Sequence, residues 1–202
     1  MSPHTDDAEI GCGGTISKYI ENGHNVYVMI FSSSKISISS GYSENSTIIE
    51  MKKSMNVLNV TDYKLYDYPT REFQKYRQNI LDDMVNIKRI YDPDIILLPT
   101  SYDIHQDHNT IYNEGVRAFK YITILGYEIM WNTLGKSNTT TYIPLKKNHV
   151  DNKMKAIECY ESQLYKKPEL IYTVEHLLSI KGSEIGIEYA EGFETIRSVR
   201  RL

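Results

Sequence analysis

The stretch that most constrains the fold is Ile95-Ile96-Leu97-Leu98, four aliphatic side chains in a row between Asp94 and Pro99. A run this short and uniformly apolar suits a strand covered on both faces, the position of a central strand in a parallel sheet. Before it, over residues 75–91, Ile80, Met84, Ile87 and Tyr91 recur on one face with Leu81 and Val85 beside them, and Asp92-Pro93 closes a predicted helix. After it, Asn109 is placed to cap a helix running to Phe119. Strand and helix patterns alternate through the rest of the chain. Further strands are predicted at residues 25–31, 63–66, 122–129, 142–145 and 192–196, and further helices from Asp6-Asp7 to Gly23 and over residues 47–58, 150–164 and 172–181. Residues 32–46, rich in serine and holding Gly41, read as a surface loop. This is the pattern of an α/β protein with a mostly parallel sheet.

The chain has 202 residues, which fits one domain over residues 1–202, and it shows no internal repeat. Its 23 basic and 26 acidic side chains leave a net charge of −3 without a long basic run, which argues against nucleic acid or an anionic membrane as partner. No apolar stretch has the length of a membrane span, and the N-terminus lacks a signal-peptide pattern. Cys12 and Cys159 form no CxxC pair, in keeping with a reducing compartment. These features together lead to the expectation of a soluble, cytoplasmic protein.

Ligands in open α/β sheets bind beyond the carboxyl ends of strands. Pro99 feeds directly into His105-Gln106-Asp107-His108, where histidines and a carboxylate crowd together. The other such stretch opens the chain: His4-Thr5-Asp6-Asp7. A catalytic zinc takes three protein ligands, commonly imidazole and carboxylate, with one position left for water. His4 and one aspartate supply two, and His108 is the expected third. Taken alone, Asp6-Asp7 would read as helix capping. The Gly11 to Gly14 run lacks phosphate-loop spacing and reads as close packing of helix against strand, with Cys12 a small buried residue. His24 and His149, flanking a turn and a helix start, read as solvated, and His176, within a predicted helix, reads as a surface or core residue. Arg71, past a strand end, and Trp131, with Tyr127, are candidates for contacts to a sugar, against surface and core roles respectively.

His4-Thr5-Asp6-Asp7-Ala8-Glu9 with Gly11-Cys12-Gly13-Gly14-Thr15 resembles the first motif of the PIG-L/LmbE-like zinc-dependent N-deacetylases, and His105-Gln106-Asp107-His108 resembles their HxDH motif. Weaker echoes lie at Tyr160-Glu161-Ser162-Gln163 and at Tyr189-Ala190-Glu191-Gly192-Phe193, where Glu191 has no assigned role. The resemblance implies a Rossmann-like three-layer sandwich and one divalent metal, expected to be zinc, although ligand type alone does not separate zinc from iron or cobalt. It further implies removal of acetyl or related acyl groups from amino sugars or their conjugates. Carried over by position, the metal ligands are His4, Asp7 and His108, the general base is Asp6, and His105, held by Asp107, stabilises the oxyanion or donates a proton. Substrate choice is expected in the loop at residues 32–46. Two departures stand out. Thr5 replaces a proline, and the buried strand that precedes the first motif in the family is missing before Ser2. A fragment, an internal start or another segment filling the gap are alternative explanations, and only a strand truly missing predicts lowered stability or homo-oligomerisation through exposed edges. A carbohydrate-binding domain without catalysis is disfavoured by the intact Asp6, and a two-metal phosphoesterase by too few ligands.

Overall fold

Residues 1–38, 41–136 and 138–200 are described in the computed structural model. In chain order the elements are α1 (Asp7–Glu21), β1 (Tyr27–Ile30), α2 (Ser46–Val57), β2 (Asp62–Leu65), α3 (Arg77–Tyr91), β3 (Ile95–Pro99) and α4 (Gln106–Ala118). They continue with β4 (Thr123–Tyr127), β5 (Thr141–Leu145), α5 (Lys147–Glu158), α6 (Glu161–Leu164), α7 (Leu170–Ser183) and β6 (Tyr189–Arg197). The loop predicted at residues 32–46 contains a short 3₁₀ turn, Lys35–Ser37, and residues 39–40 of it lie outside the described set.

Strands β1, β3 and β4 are covered on both faces. Val28 and Ile30 enter one apolar core with Leu125 and Tyr127, whereas Met29 and Phe31 enter the other with Ile96, Leu98 and Ile124. That alternation is the two-residue period of a strand between two helical layers. Side chains of α1, α2, α5 and α7 fill the first core, and those of α3 and α4 fill the second. The result is a mixed α/β three-layer arrangement. Pairing is parallel at β1–β2 and β3–β4, and antiparallel where β6 runs between β4 and β5.

The two parallel pairs belong to separate sheets, β1-β2 and β3-β4-β6-β5. Residues 1–3 link them. Ser2 N–H donates to Met29 O at 2.7 Å, Phe31 N–H to Ser2 O at 3.0 Å, and the Met1 amino group to Leu97 O at 2.7 Å. Tyr127 Oη adds a hydrogen bond to Met1 O at 2.8 Å. This segment therefore delivers His4 to the carboxyl ends of β1 and β3.

Gly11 explains how closely α1 lies on the sheet: a Cβ there would sit 2.1 Å from Tyr127 Cδ2. One at Gly14 would sit 2.5 Å from Leu145 Cδ1. The glycine run is thus helix-on-strand packing, as its spacing suggested.

Three elements differ from expectation. The helix foreseen over residues 150–164 breaks between α5 and α6, because Tyr160 turns inward and is buried. The helix foreseen from Asn109 starts at Gln106, since His105 is its N-cap and accepts from Asp107 N–H. His149 is buried rather than solvated: its Nδ1 accepts from Lys146 N–H, and its Nε2 pairs with Glu21. Among the described residues, no helix is long and apolar enough to cross a membrane.

Candidate active site

His4 leaves the linking segment just as Asp7 opens α1, and His108 lies in the first turn of α4, directly beyond β3. The three side chains converge. Asp7 Oδ2 is 3.0 Å from His4 Nδ1 and 3.2 Å from His108 Nε2, and the two nitrogens are 3.2 Å apart. Donors around a tetrahedral zinc with bonds of about 2.0–2.1 Å are separated by about 3.3–3.4 Å. One nitrogen, one carboxylate oxygen and a second nitrogen already form such a triangle, so these residues fit a divalent metal. His105 stands beside it, its ring 4.7 Å from that of His108 and 5.0 Å from that of His4. His4, His105 and His108 also place one nitrogen each within 4.8 Å of one another, a looser grouping than the one through Asp7.

Electrostatics hold the triangle together. Burial opposes charge on His4, but the Asp7 carboxylate and the bonds to Asp107 and Asp7 outweigh it and raise its pKa to about 9. Burial likewise opposes charge on His108, whose pKa Asp7 and Asp103 raise to about 10. Asp7 is buried, yet His108 and His4 keep its carboxyl well below the usual range. A divalent cation held by these residues would compete with protons for the two imidazole nitrogens, and Asp7 would offer it an ionised carboxylate.

Each histidine of the triangle is aimed by a second carboxylate. His4 Nε2–H donates to Asp107 Oδ2 at 3.1 Å, and His108 Nδ1–H to Asp103 Oδ2 at 2.7 Å. Such partners fix tautomer and ring orientation. The Asp107 carboxylate therefore faces His4, whereas the sequence resemblance had it holding His105. It also accepts from Arg71 N–H at 2.6 Å and Phe73 N–H at 3.3 Å. His105 instead accepts at Nδ1 from the Asp107 backbone N–H, which leaves the proton of a neutral ring on Nε2. Burial, then the nearby His108 and His4, lower the His105 pKa, so the neutral form is favoured over the protonated one.

Asp6 heads α1, but its side chain caps no backbone amide. Burial first and the Asp7 charge second raise its pKa to about 6. Arg71 is exposed and holds its backbone at φ 71°, a left-handed conformation costly for a non-glycine residue, with its carbonyl taken by Gln106 Nε2–H. Trp131 sits half exposed in the 3₁₀ turn Met130–Asn132 with the Lys167 ammonium 4.2 Å over its ring. Tyr127 is fully buried against Gly11 and does not wall a site.

Sequence reasoning missed Asp103 and Glu194 and gave Tyr160 no role beyond a weak family echo. Asp103 Oδ1 also accepts from His105 N–H at 2.8 Å, so one buried carboxylate orders both histidines. Glu194 pins the turn after β3 through Thr100 Oγ1 at 2.7 Å, Ser101 Oγ at 2.7 Å and Ser101 N–H at 2.8 Å. Tyr160 Oη bonds to the Thr5 carbonyl and, at 2.6 Å, to Glu9, holding the backbone between His4 and Asp6. Asp103→Asn is expected to weaken metal binding about 10–100-fold, measured by competition with a chelator, because a neutral amide orients and polarises His108 less well.

Comparison with known proteins bears on this arrangement. The sequence model described as PIG-L, GlcNAc-PI de-N-acetylase, matches residues 1–119. A diacetylchitobiose deacetylase from Thermococcus kodakarensis is 24% identical over 98% of this chain and 82% of its own length. Among solved structures, a conserved protein from Thermus thermophilus superposes with a TM-score of 0.82 at 18% identity, covering 100% of this chain and 94% of that one. The N,N'-diacetylchitobiose deacetylase of Pyrococcus horikoshii gives 0.81 at 21% identity, covering 96% and 81%.

Proposed function

The chain belongs to the PIG-L family, and we propose that it is a metal-dependent hydrolase that removes an acetyl group from an N-acetylated amino sugar or its conjugate. In this reading residues 1–202 form one catalytic domain. The observation that carries the proposal is the triangle of His4 Nδ1, Asp7 Oδ2 and His108 Nε2 with edges of 3.0–3.2 Å. Two imidazoles and a carboxylate suit zinc, and iron or cobalt share that preference. A metal so held supplies Lewis acidity, which makes water a better nucleophile and polarises the amide carbonyl.

The remaining steps fall to side chains of this chain. Asp6, with no capping partner and a pKa near the neutral range, takes the proton of the attacking water. His105, neutral and with Nε2–H free of the bond made by Nδ1, donates to the oxygen that gains charge as the carbonyl carbon becomes tetrahedral. The proton held by Asp6 then passes to the nitrogen, so that the C–N bond breaks with the sugar leaving as an amine and the acyl group as acetate. Arg71 and Trp131, both exposed near the cluster, offer a cation and an aromatic face to the sugar.

The decisive experiment is metal analysis together with acetate release from N-acetylglucosamine and its disaccharide. Wild type is expected to carry one metal per chain and to release acetate. His108→Ala is expected to lose both. Wild-type protein unable to bind zinc, iron or cobalt would overturn the mechanism.

A further inference from the structure

Asp103 and Asp107, both beyond β3, aim the histidines of the triangle. Asp6 is held from the opposite helical layer. Three successive carbonyls around it each accept a hydrogen bond: His4 O from Ser2 Oγ at 2.5 Å, Asp6 O from Ile10 N–H at 3.1 Å and, between them, Thr5 O from Tyr160 Oη. The direction of a Cα–Cβ bond is set by the two peptide planes that flank it, so the Thr5–Asp6 plane helps decide where the Asp6 carboxylate points. The capping bond that usually fixes an aspartate at a helix start does not fix this one.

Tyr160 does more than fill space. The helical chain breaks at it: α5 ends at Glu158, α6 starts at Glu161, and Tyr160 stands between them at φ −89° and ψ 59°. Its side chain is 1% exposed among the apolar residues of the first core, where a phenyl ring would pack as well. The hydroxyl is the part that meets polar groups. Besides Thr5 O it has Glu9 Oε1 at 2.6 Å, and Glu9 Oε1 accepts from Ser54 Oγ at 2.6 Å. Behind Tyr160, α6 is locked to α2, because Ser162 N–H and Oγ both donate to buried Glu50, at 2.8 and 2.6 Å. The hydroxyl is therefore a fixed point against which the Thr5 carbonyl rests.

We propose that Tyr160 is a positioning residue for the general base, fixing the Thr5–Asp6 peptide so that the Asp6 carboxylate faces the attacking water, without itself holding the metal triangle. This rests on the deacetylase reading above and adds a support for the base that is separate from the supports of the metal ligands.

The test is a double-variant cycle read by acetate release and metal content, at a temperature where thermal unfolding shows every variant folded. Tyr160→Phe keeps the ring and removes one oxygen. It is expected to lower kcat about 10–100-fold with KM and metal content near wild type, the cost of a small misplacement of a catalytic group. In an Asp6→Asn background the same change is expected to alter kcat less than about twofold, because no base is left to misplace. A tyrosine that only supported the fold would lower both backgrounds by one factor. Replacing Tyr160 by 4-aminophenylalanine, which keeps a donor at that point, is expected to restore most of the rate. If Tyr160→Phe fails to fold, Ser162→Ala takes its place in the cycle, with a smaller loss expected in the wild-type background and none beside Asp6→Asn. A wild-type kcat in the variant used, equal losses in the two backgrounds, or loss of metal would each overturn the proposal.

A readout free of turnover separates this role from the deacetylase reading. The Asp6 amide nitrogen belongs to the same peptide group as Thr5 O, so its NMR resonance is expected to shift in Tyr160→Phe, while those of the His4 and His108 rings stay. An unshifted Asp6 resonance would overturn the positioning role and leave the reading intact. A shifted one, in a protein that releases no acetate even as wild type, would count against the reading and leave the positioning role standing.

Discussion

Asp6→Asn is expected to lower kcat by about two to four orders of magnitude while metal content and KM stay near wild type. The geometry separates Asp6 from its neighbour. Asp7 gives an oxygen to His4 and His108, and its carboxyl is held ionised by them. Asp6 makes neither contact and caps no amide, so the ordinary explanation for an acidic residue at a helix start does not account for it. Its loss should therefore cost little stability. As the proposed base Asp6 has to accept a proton, and asparagine is a near-isostere that cannot. The pairing with Asp7→Asn sharpens the test: that variant should lose metal as well as turnover. An Asp6→Asn enzyme with more than a tenth of wild-type kcat would exclude Asp6 as the essential base.

What the sequence disclosed, and what it hid, follows from the range of the interactions. Long periodic segments carried their own signal: residues 75–91 became Arg77–Tyr91, and the apolar run at residues 94–99 became Ile95–Pro99. The strand-end rule then pointed to His105 and His108, and the two motifs brought His4 and Asp7 to the same place. Interactions between remote residues left no local pattern. Asp103 looks like any loop carboxylate until His108 is folded onto it. The break after α5 follows from Tyr160 reaching Thr5 and Glu9, about 150 residues earlier, a contact invisible in helical spacing. Asn109 resembles a cap more than His105 does, yet the imidazole takes that role because its ring is already fixed beside the cluster. His149 and Glu21, distant in sequence, likewise meet only in the folded chain.

Glu191 shows the same principle with the largest expected effect on stability. Cys12 departs from helical geometry, with φ −147° and ψ 23°, in the middle of α1. In an unbroken helix the carbonyl of Ile10 and the N–H of Gly14 would face each other. Here Lys153 Nζ donates to Ile10 O at 2.7 Å, while Glu191 accepts from Gly14 N–H at 2.9 Å and from Thr15 N–H at 2.7 Å. Lys153 and Glu191 close the circuit at 2.6 Å, each only 2% exposed. A salt bridge thus stands in the helix ladder, and the carboxylate supplies the acceptor that a second helix start requires. Glu191→Ala removes that acceptor and strands the Lys153 charge in the interior, which costs about 3–5 kcal/mol, or a melting temperature lower by about 10 °C for a chain of this size. Removing both charges together, as Glu191→Leu with Lys153→Met, is expected to recover part of the loss, because no isolated charge remains buried. Thermal unfolding followed by circular dichroism decides between these outcomes. A single variant within about 2 °C of wild type would show that the break at Cys12 is held by packing alone, with Gly11 against Tyr127 and Gly14 against Leu145 sufficient to keep Asp7 in place.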